Sequence, residues 1–366
     1  MNGIIFIYFV LGILSLIELF NADILLRKLF WLISCFLFIF VIGLGYKVGV
    51  DWVTYQDEYL GKIEGSTFEL FYRFFTELSS KYISFWAFAT LIKTIYCCLI
   101  LRLNFLVSKL PITSLTIFFG MSYPFVNDPL RQLIAANFFL LICLLGRSYP
   151  KIYQIIFISG FHISSLTLLL GKLKIFSKRS NKILFISLVL GLFLAILLRN
   201  AQFINSLSLF LGNASDKLIF YSSQFQFANI FSSIVRVTIF GLGLYLANKN
   251  GNDDSELNNL IYKLSFLMFL LEIASLGLPI LGQRIRLYLL PFVLIILVNG
   301  IKNIFPLYRI LILLVIEFYV GLSLFYFLNG KMGEYYSLEM NLMIQYIKGF
   351  PVNNWESNAY LFWITN

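Results

Sequence analysis

The chain has 366 residues, of which 60% are hydrophobic and only 13% charged, and its 28 Lys and Arg against 18 Asp and Glu give a net charge of +10. A water-soluble domain is about half apolar and a quarter charged, so a chain with 40 Phe and 21 Tyr and a mean hydropathy of +0.85 is not a soluble globular enzyme, a disordered chain or a secreted disulfide scaffold. The apolar runs are continuous rather than alternating, which excludes a membrane β-barrel and leaves an all-α polytopic transmembrane protein, since hydrocarbon admits only helices or closed barrels.

The apolar segments run at 3–20, 29–45, 83–101, 112–125, 131–145, 152–170, 183–198, 230–247, 260–280, 287–300 and 310–328. With flanking residues each can form a helix across ~30 Å of hydrocarbon, so about 10–11 membrane segments are predicted within a single integral membrane domain covering 1–366. No Lys or Arg precedes Arg27, so the first segment lacks the basic start of a signal peptide and reads as an uncleaved span. Between the segments lie two hydrophilic loops, 46–82 and 199–229, a polar linker at 248–259 and an aromatic-rich tail at 329–366. Cys35, Cys97, Cys98 and Cys143 fall in apolar segments with no CxxC pair and no metal-ligand spacing. They read as buried, reduced side chains, and no metal or cofactor is expected.

Lys and Arg accumulate in cytoplasmic loops. Arg27 and Lys28 put the N-terminus and loop 46–82 outside, and Arg102, Lys109, Arg147 and Lys151 then fall inside. If 152–170 simply spanned, the basic stretch Lys172, Lys174, Lys178, Arg179 and Lys182 would lie outside and the bias would vanish. If 152–170 instead enters and returns to the same side, the whole net charge of +10 falls on cytoplasmic loops and the external segments are electroneutral. This pattern predicts a broken, re-entrant segment hinged near Ser159-Gly160, its two halves of about nine residues each reaching ~13 Å. It places 46–82, 199–229, the tail and both termini outside. The scattered positive charge then serves orientation and provides no nucleic-acid surface.

Candidate chemistry gathers at few positions. His162, the single histidine, stands at the suspected break in Gly160-Phe161-His162-Ile163-Ser164-Ser165. An intramembrane ionisable group is costly and commonly faces a cavity; the plainer reading is a core histidine with a satisfied ring. Arg131 opens a helix after Asn127-Asp128-Pro129, Arg284 and Arg286 share a short loop, Arg199 ends a span and Arg236 lies inside one. Guanidinium groups grip phosphate oxygens in pairs, so arginines converging at the outer face would hold a pyrophosphate, whereas single interface arginines usually snorkel. Loop 46–82 has six acids, four bases and several aromatics, suited to sugar rings or to an ordinary aromatic belt. Glu18, Glu272 and Glu317 lie within spans, and sequence assigns them no partners.

Three local patterns occur in one order: Val48-Gly49-Val50-Asp51-Trp52-Val53-Thr54-Tyr55, Leu130-Arg131-Gln132-Leu133-Ile134-Ala135 and Phe161-His162-Ile163-Ser164-Ser165. They resemble the G-x-D-x-x-x-Y, L-R-Q-x-x-A and F-H-x-S-A motifs of the EpsG family, a branch of the Wzy-type exopolysaccharide and O-antigen polymerases. Ser165 replaces the usual Ala, and Tyr46-Lys47 stands where the family's typical Arg precedes the first motif. The resemblance implies a GT-C-like glycosyltransferase of the bacterial cytoplasmic membrane. Its donor and acceptor would be oligosaccharides linked to undecaprenyl pyrophosphate, its surroundings membrane lipid, and a chain-length regulator a possible partner class. On this reading His162 or Asp51 is the general base, Arg131 with Arg284 and Arg286 steadies the leaving pyrophosphate, and Gln132, Tyr55 and Arg236 bind substrate, without metal. No Gly-rich phosphate loop and no metal cluster is visible in the sequence. Two other classes compete: a membrane O-acyltransferase acting on surface glycans, and a flippase or transporter for lipid-linked oligosaccharide.

Overall fold

The computed structural model describes residues 2–20, 23–63, 68–199, 227–249, 255–277, 279–331 and 333–350. Loop 199–229, apart from Arg199 and the start of the following helix, therefore lies outside the described residues, as does the tail beyond 350. In chain order the α-helices are α1 (Asn2–Leu19), α2 (Ile24–Phe38), α3 (Trp52–Tyr59), α4 (Leu70–Ser80), α5 (Phe85–Val107), α6 (Pro111–Val126), α7 (Leu130–Gly146), α8 (Ile152–Ser159), α9 (Asn181–Arg199), α10 (Phe227–Lys249), α11 (Glu256–Ala274), α12 (Pro279–Lys302), α13 (Pro306–Asn329) and α14 (Leu342–Lys348). No strand occurs among the described residues. Seven helices there are long and apolar enough to cross a membrane, and Gly3–Leu19, Pro111–Val126, Leu130–Gly146 and Ile163–Lys172 are shorter apolar helices. The chain is a polytopic all-α membrane protein.

It forms two compact units. One comprises Met1–Gly146, Pro150–Leu166 and Phe305–Asn366, the other Arg147–Tyr149 and Thr167–Ile304. In the first, α1, α6 and α13 pack together: Tyr8 stacks on Phe119 with centroids 6.5 Å apart, and Tyr8 and Val320 crowd Gly120. Pro111 starts α6, where its missing N–H costs nothing, and the buried Glu18 carboxylate accepts the next two N–H groups, from Ile112 and Thr113. In the second unit α12 is enclosed, with 89% of its apolar window buried, against 17% for α9. A helix apolar all round belongs in a core, and the exposed Phe185, Phe193 and Ile196 of α9 form a surface suited to lipid. Among the cysteines only Cys97 and Cys143 are buried; Cys98 is exposed and Cys35 intermediate. In a membrane that exposure faces hydrocarbon, so burial in protein is not needed to keep a thiol inert.

Segment 152–170 is broken where the sequence predicts. α8 ends at Ser159, and the backbone turns through Gly160 and Phe161 before a 3-10 helix at Ile163–Lys172. A Cβ on Gly160 would stand 2.3 Å from the Phe71 ring, and the Gly160 carbonyl accepts the Phe71 N–H at 3.0 Å. The hydrophilic stretch 46–82 is largely helical, as α3 and α4. Leu70, Phe74 and Leu78 form an exposed apolar stripe along α4, with Tyr72 and Thr76 on its buried face.

The 45–51 turn is held by the chain beyond α13. Gly45 bridges to Asn341, Tyr46 donates to the Met340 carbonyl and Gly49 to that of Tyr335, at 2.9 and 2.7 Å. Gly49 has φ +83°, and a Cβ there would meet the Asp128 carboxylate at 2.2 Å. Gly61, with φ +68°, has nothing within 4 Å of a Cβ. Gly61→Ala therefore bears only the left-handed backbone cost of about 1–2 kcal/mol, while Gly49→Ala also displaces Asp128. Thermal midpoints of the detergent-purified protein should fall clearly further for Gly49→Ala; equal losses would contradict the packing described.

Candidate functional site

In the first unit two carboxylates join the three sequence patterns. Glu69, just before α4, receives Arg131 Nη1 on Oε2 at 2.5 Å and lies 3.1 Å from His162 Nδ1 through Oε1. The same Oε1 accepts the Ile163 N–H at 3.3 Å. Arg131 and His162, 31 positions apart in sequence, thus share one carboxylate. The broken segment is what permits this: an uninterrupted helix would use the Ile163 N–H internally, whereas after the break it is free to reach Glu69.

The second carboxylate is Asp128. Its Oδ1 accepts the N–H groups of Val50 and Asp51, at 3.0 and 2.8 Å, and its Oδ2 accepts the Tyr336 hydroxyl at 3.1 Å. Asp51 is the residue before α3, and one turn later Tyr55 lies under the Arg131 guanidinium, 5.8 Å from the ring centroid. Phe68 lies closer on the same cation, at 4.2 Å, and Tyr72 packs edge-on to Phe68 with centroids 5.5 Å apart. A cation over aromatic faces gains roughly 0.5–2 kcal/mol as it is desolvated. Phe161, beside His162, stacks on Phe138 of α7 at 4.9 Å, fixing the broken segment against the helix that carries Arg131.

The electrostatics follow from these partners. Burial pushes the Glu69 carboxyl up, but the His162 hydrogen bond and the Arg131 and His162 charges outweigh it and hold the group at about 2. Asp128 goes the other way: burial raises it, and the Asp51 and Val50 N–H groups, Tyr336 and Lys93 only partly oppose that. Lys93 is buried and donates to the Gly45 carbonyl at 3.3 Å. Arg131 Nε is buried with no hydrogen-bond partner among the described residues, and so is the amide nitrogen of the fully buried Gln132. Among the described residues no three His, Cys, Asp or Glu side chains gather as metal ligands.

An open groove of about 770 Å³ runs between α3 and α4. Its lining mixes polar side chains, Glu58, Arg73, Glu77 and Ser80, with apolar ones, Leu60, Ile63, Leu70 and Phe74.

The remaining candidate arginines belong to the second unit. Arg286 binds Glu272 through two nitrogens, Nε to Oε2 at 3.1 Å and Nη2 to Oε1 at 2.8 Å. Arg236 Nε joins the same Oε1 at 2.6 Å, and its Nη2 donates to Ser233 at 2.7 Å. Glu272 is fully buried, and two guanidinium groups share its one carboxylate. Arg284 and Arg286 lie inside α12 and not in the short loop the sequence suggests, and Arg284 is partly exposed.

Sequence reasoning missed Glu69, Phe68 and the anchoring role of Asp128. Glu69 is one of six acids in 46–82, and nothing local distinguishes it; only folding brings it Arg131 from α7 and His162 from the broken segment. Asp128 stands next to a recognised arginine motif, and the need of Gly49 for a close neighbour is the signal that could have paired them.

A family model described as the EpsG family matches residues 28–346. No curated protein and no solved structure matches the chain.

Glu69 binds fewer protons folded than unfolded, since its carboxyl is held at about 2 against an ordinary 4.5. Its contribution to stability is therefore complete above pH 4.5 and drains away as the pH falls towards 2. Below pH 4.5, where His162 is already protonated, the gap in thermal midpoint between wild type and Glu69→Gln should close as the pH falls towards 2. A gap that holds or widens in that acid range would contradict the depressed carboxyl.

Proposed function

The chain belongs to the EpsG family, a family of Wzy-like polysaccharide polymerases, and on that premise we propose that it joins oligosaccharide repeat units carried on undecaprenyl pyrophosphate. The product is a surface polysaccharide (O-antigen, capsule or exopolysaccharide) and the reaction runs at the outer face of the bacterial cytoplasmic membrane. Both termini lie outside in this proposal, and the fold acts in the GT-C manner, with lipid-borne substrates and no nucleotide-sugar domain. The observation that carries the reading is the meeting of Arg131 and His162 on Glu69, with Tyr55 under the Arg131 guanidinium.

The reaction is a displacement at the donor's anomeric carbon. The acceptor hydroxyl must lose its proton to a base within hydrogen-bond reach. With Nδ1 directed at Glu69, His162 keeps its proton there and offers Nε2 as the acceptor, the tautomer a carboxylate neighbour selects. Asp51 is the alternative base. As the bond to pyrophosphate breaks, negative charge grows on the leaving oxygens and needs fixed cations and donors. Arg131 supplies a permanent charge and the unclaimed Nε donor. Glu69 is a positioning residue: it keeps Arg131 and the His162 ring in place and stays ionised throughout the physiological range. A direct displacement of this kind inverts the anomeric centre.

Tyr55 and Gln132 are assigned to the sugar, and the α3–α4 groove, lined by polar and apolar side chains together, suits the hydroxyls and C–H faces of a glycan. Arg284, Arg286 and Arg236 are assigned to the anionic part of a substrate, because guanidinium groups bind phosphate oxygens in pairs. A chain-length regulator is the protein partner such an enzyme would have.

The test is genetic. In a deletion strain complemented with wild type, long surface polymer and its ladder should return. His162→Ala and Arg131→Ala should each reduce polymer by about 10²–10⁴-fold, the usual range for losing a positioned base or charge, with normal membrane insertion. Single repeat units capping their lipid acceptor mark a lost polymerase. Repeat units trapped on the cytoplasmic side would instead indicate a flippase, and full-length polymer lacking acyl groups an acyltransferase. Normal chain length in both variants would remove His162 and Arg131 from the site.

A further inference from the structure

Two glutamates inside the first unit take no part in the proposed chemistry. Glu18 on α1 is 2% exposed and Glu317 on α13 is 7% exposed. They are joined by a chain of hydroxyls: Glu317 Oε1 to Ser15 Oγ at 2.5 Å, Ser15 Oγ to Thr113 Oγ1 at 3.0 Å, and Thr113 Oγ1 to Glu18 Oε2 at 2.9 Å. Each contact needs one hydrogen between its two oxygens. A serine and a threonine hydroxyl carry one hydrogen each, so two hydrogens are available for three contacts. If both carboxylates were ionised, one of the three would place two bare oxygens face to face in a buried site. The third hydrogen must come from a carboxyl group.

The surroundings decide which carboxyl holds it. Glu18 accepts two backbone N–H groups besides the Thr113 hydroxyl, from Ile112 at 3.1 Å and Thr113 at 2.9 Å, and such donors favour the anion. Arg27 of α2 adds its charge to Glu18. Among the described residues Glu317 has no such support: Tyr8 of α1 gives its hydroxyl to the Glu317 backbone carbonyl, at 2.7 Å, and not to its carboxyl. On α6 the other titratable group, Tyr123, donates to the Tyr336 carbonyl.

We propose that Glu317 and Glu18 share a single proton through Ser15 and Thr113, forming a proton-binding site within the membrane fold. In the resting arrangement the proton is on Glu317 Oε1, which donates to Ser15; Ser15 donates to Thr113, and Thr113 to the Glu18 anion. Shifting each hydrogen one oxygen along moves the proton to Glu18 and leaves Glu317 ionised, with every bond formed matched by one broken and the net charge still −1. The path runs from the middle of α13 to the shared end of α1 and α6. Losing the proton altogether would put a second negative charge between α1, α6 and α13, which the hydrogen-bond chain cannot then satisfy.

Infrared spectroscopy of the full-length protein in lipid nanodiscs tests this directly, because a carboxylic acid C=O stretch is separate from that of a carboxylate. At neutral pH the wild type should show an acid band that Glu317→Gln removes and Glu18→Gln retains. Ser15→Ala, which keeps both glutamates but cuts the chain, should move that band as the acid loses its acceptor, with size-exclusion profiles confirming intact folding. The proposal is overturned if the wild type has no acid band at neutral pH, if the band is lost only in Glu18→Gln, or if Ser15→Ala leaves it unmoved. None of these readouts depends on polymerase activity.

Discussion

A charge inside a helical membrane protein persists only where an opposite charge or several donors meet it, because transfer from water to a low-dielectric interior costs several kcal/mol per ion even after relaxation. Four carboxylates among the described residues answer that constraint in one way: each binds groups from other elements of the fold. Glu69 collects Arg131 and His162, Asp128 collects the 50–51 backbone and Tyr336, Glu272 collects Arg236 and Arg286, and Glu18 closes the start of α6. Removing one such partner leaves a buried charge uncompensated, at a cost of about 3–5 kcal/mol. These few residues therefore specify the packing more sharply than the apolar contacts around them, which tolerate exchange among similar side chains.

The same constraint shapes the site. An arginine that must remain charged is placed over Phe68 and against Glu69, so it is held before any substrate arrives. Preorganised charge of this kind is the largest single contributor to many enzymatic rate enhancements. The break after Ser159 serves it too. It ends α8, frees the Ile163 N–H for Glu69 and turns His162 towards the carboxylate. A straight helix through Gly160 would use the Ile163 N–H internally, and any side chain at Gly160 would meet the Phe71 ring.

Much of this was legible in the chain. The distribution of Lys and Arg, with net charge +10, pointed to a broken segment at 152–170, and the break lies at the predicted Ser159-Gly160. Arg131, His162, Asp51 and Tyr55 were all singled out from local patterns. Glu69 was not, because a carboxylate in a polar loop shows nothing of its partner until the chain folds. The same limit applies to Arg236, Arg286 and Glu272: each is visible as an ionisable group in an apolar stretch, but the pairing depends on the azimuth of three separate helices. The proton shared by Glu18 and Glu317 rests on two hydroxyls that carry no pattern in the sequence at all.

By itself the sequence determined the solvent of the fold. Continuous apolar runs, sparse charge and loop-borne Lys and Arg dictate a helical membrane protein, since backbone hydrogen bonds in hydrocarbon must close within each segment. It also determined the family, through short motifs whose residues lie close along the chain. Tertiary structure alone decided which charges meet. Electrostatic partnership falls off over a few ångströms in space and is indifferent to separation along the chain, so the joining of Glu69 with Arg131 and His162, and of Asp128 with the Gly49 turn, exists only once the helices have packed.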